Sequence, residues 1–279
     1  IEFATDITVS AEKLNGLISL NNPNYKGSNR SLNASLESTI TDRLKNFGYK
    51  SSKTGFSVGS SFEFYDDLYW NTGVSSYVEK LNTDSTASLS MKKQDGSYFD
   101  TFYNQTFSYD KRNEKYKTSD GYISRFSQNV PLISESYTLT NVYDYKIYNE
   151  WLDENIFSIG FFAKNANSLS GKNIKLSDRL FLPSSKLRGF ESGRVGPKDG
   201  ADFIGGNYAA SINLATSLSQ ILPNSQNTSF SIFFDAANVW GIDYSSKLND
   251  GSKIRSSAGI ALDLFTVIGP LNFSLSQPI

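Results

Sequence analysis

Residues 31–41 read SLNASLESTIT, and the character of the side chains switches at each step except around Ser38. Leu32, Ala34, Leu36 and Ile40 fall on one face of an extended chain, whereas Ser31, Asn33, Ser35, Glu37, Thr39 and Thr41 fall on the other. Successive side chains of a strand point to opposite faces, so this period of two marks a strand with one apolar side. The next stretches repeat it. Phe56, Val58, Phe62 and Phe64 oppose Ser57, Gly59, Ser61 and Glu63, and Leu68, Trp70, Val74 and Val78 oppose Asn71, Gly73, Ser75 and Glu79.

Extending the pattern outward predicts thirteen strands, at about 2–10, 14–22, 30–42, 54–65, 68–80, 98–110, 121–131, 136–150, 154–165, 207–219, 227–238, 253–265 and 268–278. Many exceed the five or six residues usual in soluble sheets and reach the roughly 9 to 11 that a tilted membrane-crossing strand needs. Short connections at Tyr65–Asp67, Trp151–Asp153 and a Gly269-Pro270 turn alternate with longer ones around 43–53, 81–97, 166–206 and 239–252. Outer-membrane barrels show that asymmetry between their two rims. Ala11–Lys13 is a short connection on the long-loop side, and Ser85–Gln94 is expected to form a brief helix. No linker interrupts residues 1–279, so a single domain is the economical reading.

Composition narrows the function. The chain has no Cys and no His, which excludes thiol catalysis, Cys/His zinc sites, imidazole bases and Ser-His-Asp triads. A net charge of −1 without long like-charge runs gives no reason to expect nucleic acid as a partner. Mean hydropathy is −0.37 and no apolar run reaches the length of a membrane helix, so a membrane could be crossed only by a barrel. A soluble sandwich or barrel also alternates, with its apolar residues inward. Here the faces opposite the apolar stripe are rich in Ser, Asn, Thr and Gly and poor in Lys, which suits a wide polar lumen.

One connection stands apart. Lys186 to Asn207, KLRGFESGRVGPKDGADFIGGN, lies in a structureless span longer than the roughly 12 to 15 residues beyond which loops are usually functional or disordered. Gly196-Pro197 and Gly205-Gly206 read as turn punctuation. Gly193 to Gly196 is no phosphate loop, because it lacks a Gly-Lys-Ser/Thr ending and a following helix. The carboxylate pairs Asp66-Asp67 and Asp153-Glu154 sit in expected short turns and read as solvated rather than catalytic. No cofactor or metal site is expected.

The C-terminal half carries an ordered set of motifs: Leu187-Arg188-Gly189-Phe190, Gly196-Pro197, Gly205-Gly206-Asn207, Phe233-Phe234-Asp235-Ala236-Ala237-Asn238-Val239-Trp240, Ile254-Arg255-Ser256-Ser257-Ala258-Gly259-Ile260-Ala261, and Ile268-Gly269-Pro270-Leu271 through Gln277-Pro278. Upstream, Asn21-Asn22-Pro23-Asn24-Tyr25, Tyr109-Asp110-Lys111-Arg112 and Thr118-Ser119-Asp120-Gly121 add weaker matches. Together they resemble the barrel of the BamA family of outer-membrane-protein assembly factors and, more loosely, the superfamily that it forms with TamA and the two-partner secretion transporters.

The resemblance implies an all-β fold, an antiparallel transmembrane β-barrel of the 16-stranded BamA type. Mapped onto it, the thirteen strands lack the family's first two and its last, and the periplasmic POTRA domains are not in this sequence. Thirteen up-and-down strands could close only through a parallel pairing, whereas single-chain bacterial barrels have even numbers, so an open sheet is expected. The resemblance further implies a bacterial outer-membrane location, client outer-membrane proteins and accessory assembly lipoproteins as partners, outer-membrane lipid as surroundings, and insertion of clients through a lateral strand seam. A TamA-like or two-partner-secretion pore is the alternative, and a passive porin a more distant one. By resemblance the loop at about 166–206 folds into the lumen, Arg188 meets Asp235 on the inner wall, Gly189 lets the backbone turn and Phe190 packs the tip. Asn213 stands where the family commonly has a glutamate, which implies a weaker lock unless another inner carboxylate such as Asp263 compensates.

Overall fold

A computed structural model describes residues 1–279 apart from 11, 116, 153, 222–226, 246, 250, 267 and 268. The alternating stretches form the strands β1 (Glu2–Val9), β2 (Lys13–Asn22), β3 (Ser31–Arg43), β4 (Tyr49–Tyr65), β5 (Leu68–Thr83), β6 (Gly96–Asp110), β7 (Gly121–Ile133), β8 (Thr138–Leu152) and β9 (Asn155–Ser168). A two-residue ribbon follows, β10 (Lys198–Asp199) with β11 (Asp202–Phe203), and then β12 (Tyr208–Ser217), β13 (Thr228–Trp240), β14 (Arg255–Thr266) and β15 (Gly269–Pro278). All but the ribbon join one 13-stranded antiparallel sheet in chain order, and β1 and β15 form its two open edges. No helix among the described residues is long and apolar enough to cross a membrane.

The sheet is polar inside and apolar outside. Cross-strand registers such as Ile18↔Leu36 and Leu36↔Phe56 align the apolar stripes of neighbouring strands, and Ile7, Ile18, Leu36, Phe56, Ile232 and Phe273 are all exposed. A continuous exposed apolar surface of this kind suits lipid rather than water. Buried apolar clusters instead form on the inner side, where the segment 169–207 packs beneath one rim.

That packing explains where sequence and structure differ. β4 begins at Tyr49, so the connection expected at 43–53 shrinks to 44–48, which holds the single helical turn α1 (Leu44–Phe47). Residues 49–53 lack an apolar alternation of their own. They remain extended because Tyr49 and Ser51 are covered by the inserted segment, with Leu176 and Ile204 in the same cluster as Phe47 and Tyr49. The helix expected within 85–94 is present as α2 (Leu89–Lys92), capped by Ser88, whose hydroxyl accepts the Met91 N–H. Gly269 and Pro270 lie within β15 and pair with Thr266 and Phe265, so they are strand rather than the expected turn. Residues 11 and 153 of two other expected connections also lie outside them.

The rims are less asymmetric than expected, since 23–30, 111–120 and 218–227 lie on the short-turn side. In the second of these, Asp110 accepts from Nε and Nη2 of Arg112 at 2.8 and 2.7 Å. Gly121 follows at φ +94°, where a Cβ would sit 2.1 Å from the Lys111 carbonyl oxygen.

The outward face carries one polar row. Gln105 donates to Gln128 at 3.0 Å, Gln128 to Asn141 at 2.7 Å, and Asn141 to Asn165 at 2.9 Å, joining β6, β7, β8 and β9 side chain to side chain. Asn167 also donates to Asn165, at 3.3 Å, and the Tyr208 hydroxyl on β12 donates to Asn167 at 3.3 Å.

Candidate functional site

The tip of the 169–207 segment lies against the inner wall. Inward positions on β13 are set by its alternation, which places Phe233, Asp235, Ala237 and Val239 on one face and Ile232 and Phe234 on the exposed one. Asp235 is fully buried and Arg188 reaches it with both arms of the guanidinium, Nε to Oδ2 at 2.7 Å and Nη2 to Oδ1 at 2.7 Å. The Arg188 backbone N–H adds a third donor to Oδ2 at 3.1 Å. The guanidinium also lies 3.3 Å from the centroid of the Phe233 ring. A planar fork matched to a carboxylate and stacked on an aromatic face is a geometry that Lys cannot reproduce.

Asn213 supplies the fourth donor. Its Nδ2 donates to Asp235 Oδ1 at 2.8 Å and to the Lys186 carbonyl at 3.0 Å, so each Asp235 oxygen accepts two hydrogen bonds. The amide therefore serves the carboxylate rather than the arginine, and the lock is complete without a second charge. Asp263 takes no part, since it accepts from Asn272 at 2.6 Å further along β14. Asn213→Glu is accordingly expected to weaken the lock, because it removes two donors and sets a second carboxylate beside a buried one. The folded band of the full-length protein should lose heat resistance on gels, and a rise would show that Glu finds the guanidinium instead.

The rest of the tip is held by shape. Gly189 has φ +84°, and a Cβ there would lie 2.9 Å from Ser276 Oγ on β15. Ser257 on β14 donates to the Arg188 carbonyl at 2.6 Å. Leu187 is buried with Phe162, Leu182, Val195, Ala209 and Val239, and Phe190 packs against that cluster while staying partly exposed. Gly205 has φ +68°, and Gly206 exchanges backbone hydrogen bonds with Leu180 at 2.8 and 3.0 Å. Gly196 does more than punctuate a turn, because it presses its backbone on Val239.

Further contacts were not legible in the sequence. Lys186 Nζ donates to Asp144 on β8 at 2.5 Å. Arg179 pairs with Asp243 and donates to Asn207 at 3.1 Å. Lys175 is buried with two carboxylates of the wall, Glu79 on β5 at 3.1 Å and Asp100 on β6 at 2.6 Å. Asp178 adds a third carboxylate 3.6 Å from the same ammonium. Burial, with Glu79 and Asp100 nearby, raises the Asp178 pKa above the ordinary carboxylate value, although Lys175 and Lys53 pull it down. The one available signal was Glu79, the single charge on an inward face that otherwise reads Tyr69, Asn71, Gly73, Ser75, Tyr77 and Leu81. Asp67 pairs with Lys111 in its turn, as a solvated turn carboxylate would, and Asp153 lies outside the described residues. Among the described residues no group of three or more His, Cys, Asp or Glu is placed to hold a metal.

Residues 2–279 match the Omp85 superfamily domain. This chain belongs to the Omp85 superfamily. Among solved structures, the Omp85 chain is similar to BamA from Haemophilus ducreyi lacking POTRA domains 1-3, with a TM-score of 0.86 at 21% identity. That match covers 99% of this chain and 60% of the other. It is less similar to CdiB from Acinetobacter baumannii, with a TM-score of 0.52 at 10% identity over 99% of this chain and 55% of that one. At these identities the likeness establishes the fold, a barrel sheet of the BamA type. Omp85 membership and the BamA-type fold imply a bacterial outer-membrane protein.

Proposed function

We propose that this chain is barrel from an outer-membrane-protein assembly factor, which folds β-barrel clients and inserts them through a lateral strand seam. The observation that carries the reading is the Leu187-Arg188-Gly189-Phe190 tip seated on Asp235, Ser257 and Ser276, which lie on the three strands nearest one open edge. A tip fixed there orders β13–β15, the part of the wall on which, in this reading, pairing with an incoming client strand depends. Burial of the client's apolar face and backbone pairing supply the driving force, and no nucleotide or metal is required. Residues 1–279 act as one barrel domain with 166–206 as its inward loop. Client outer-membrane proteins and accessory lipoproteins are the partners in this reading.

The likeness to CdiB favours one alternative, a translocation pore. Reconstitution separates the two. The full-length protein in lipid vesicles should speed conversion of a urea-unfolded client barrel to its heat-modifiable, protease-protected form, relative to empty vesicles. No acceleration, together with transfer of a soluble passenger into the vesicles, would establish the pore instead.

A further inference from the structure

The loop is held at a second place, and the chemistry there differs from that at its tip. Lys175 Nζ lies 3.1 Å from Glu79 Oε2 and 2.6 Å from Asp100 Oδ2, with side-chain exposures of 5% for the lysine and 3% for each carboxylate. Every remaining oxygen of the two carboxylates has a donor: Ser51 Oγ to Glu79 Oε1 at 2.5 Å and Ser134 Oγ to Asp100 Oδ1 at 2.6 Å. Ser177, two residues along the loop, donates to Glu79 Oε2 at 3.1 Å, and the Tyr98 ring covers the ammonium at 4.8 Å. A buried charge persists only when paired and hydrogen-bonded; Lys175, Glu79 and Asp100 meet both conditions, whereas Asp178 Oδ2, 3.6 Å from the ammonium, is buried with no hydrogen-bond partner among the described residues.

Its position gives it a task. Glu79 and Asp100 stand on β5 and β6, whereas Asp235 stands on β13, with β7, β8, β9 and β12 between them in the sheet. The loop leaves β9, is caught at Lys175 and reaches Asp235 at Arg188, so the stretch between spans from one part of the wall to another. Leu176 and Leu180 are buried immediately after Lys175, which fixes the direction in which the chain departs. We infer that Lys175 is a positioning residue, which pins the root of the loop to the β5–β6 wall and so aims Arg188 at Asp235.

The shortened tether is a small part of this effect, since loop-closure entropy changes only slowly with loop length. The larger part is the pair of buried carboxylates. Without the ammonium they face each other uncompensated, and they shed that burden by admitting water, which lifts the root and carries the tip with it.

The test uses the folded full-length protein in vesicles and trypsin added from the loop side, which cuts after Lys186 and Arg188 only when the tip is off the wall. Lys175→Met should raise cleavage at those two sites at least tenfold while the heat-resistant folded band persists, and Lys175→Arg should stay near the parent rate. Unchanged cleavage in Lys175→Met, or cleavage that appears only with loss of the folded band, would overturn the inference. If Lys175→Met does not fold, the Glu79→Gln/Asp100→Asn/Lys175→Met triple removes both stranded wall charges and leaves only Asp178, which belongs to the loop itself. An exposed tip in that folded triple supports the positioning role, and a protected tip refutes it. The inference rests on the proposed function only for its consequence. Released tips with undiminished client insertion would leave Lys175 as the root anchor and count against the assembly reading.

Discussion

Arg188→Ala is expected to leave a folded sheet whose loop no longer stays docked, with client insertion reduced severely. Asp235 is fully buried, and the substitution removes two of its four donors and the one counter-charge it has among the described residues, leaving the residue 188 N–H and Asn213 Nδ2. Stranding one partner of a buried pair costs about 3 to 5 kcal/mol, and the surviving donors place this case near the lower end. About 3 kcal/mol corresponds to a population shift of more than a hundredfold, enough to turn a docked tip into a mostly undocked one. Arg188→Lys should recover only part, because an ammonium keeps the charge and loses both the fork and the stacking on Phe233. The measurements are the temperature at which the folded band is lost on gels and the rate of client insertion into vesicles. Parent values for both in Arg188→Ala would remove the lock from the mechanism.

Gly196→Ala should be nearly as damaging although it adds one methyl group. Gly196 has φ +114°, where a side chain is strained, and the new Cβ would lie 2.8 Å from Val239 Cβ and 3.1 Å from the Val239 oxygen. Val239 is fully buried in the cluster that also holds Leu187, so neither side has room to yield. Backbone strain of about 1 to 3 kcal/mol and overpacking of a similar size act together. Gly200→Ala is the control: its φ is +63° and nothing lies within 4 Å, so strain alone should produce a smaller loss. A lower temperature for loss of the folded band is expected for Gly196→Ala, and equal shifts in the two variants would show that the contact with Val239 is not what matters.

The strands were legible because lipid outside and a polar lumen inside force a period of two on nearly every strand. Where the inserted loop supplies the environment instead, the period fails, which is why Tyr49 to Lys53 read as connection and are strand. Arg188 and Asp235 were legible from the order of motifs around them. Lys175, Glu79 and Asp100 were not, since the lysine is separated from its partners by 96 and 75 positions and no local pattern marks such a pairing. Asn213 was placed beside the lock by resemblance, but its donation to Asp235 was not legible, because residue type alone does not tell whether an amide offers its nitrogen or its oxygen.

The row of amides on the outer face has a direction. Gln105, Gln128 and Asn141 each hand a proton donor to the next strand, Tyr208 and Asn167 do so from the opposite end, and both series terminate on the single oxygen of Asn165. Reversing one amide would set two donors or two acceptors face to face, so the members can turn only in concert. Surrounded by hydrocarbon, these groups have no solvent to exchange partners with, and separating β6 from β7, β7 from β8 or β8 from β9 means breaking a side-chain bond as well as the backbone ladder. Among the described residues β1 and β2 at one end of the sheet and β14 and β15 at the other carry no such row on their outer face, so the sheet is stitched side chain to side chain in its middle and joined at both ends by its backbone ladder, with no bond between side chains on that face.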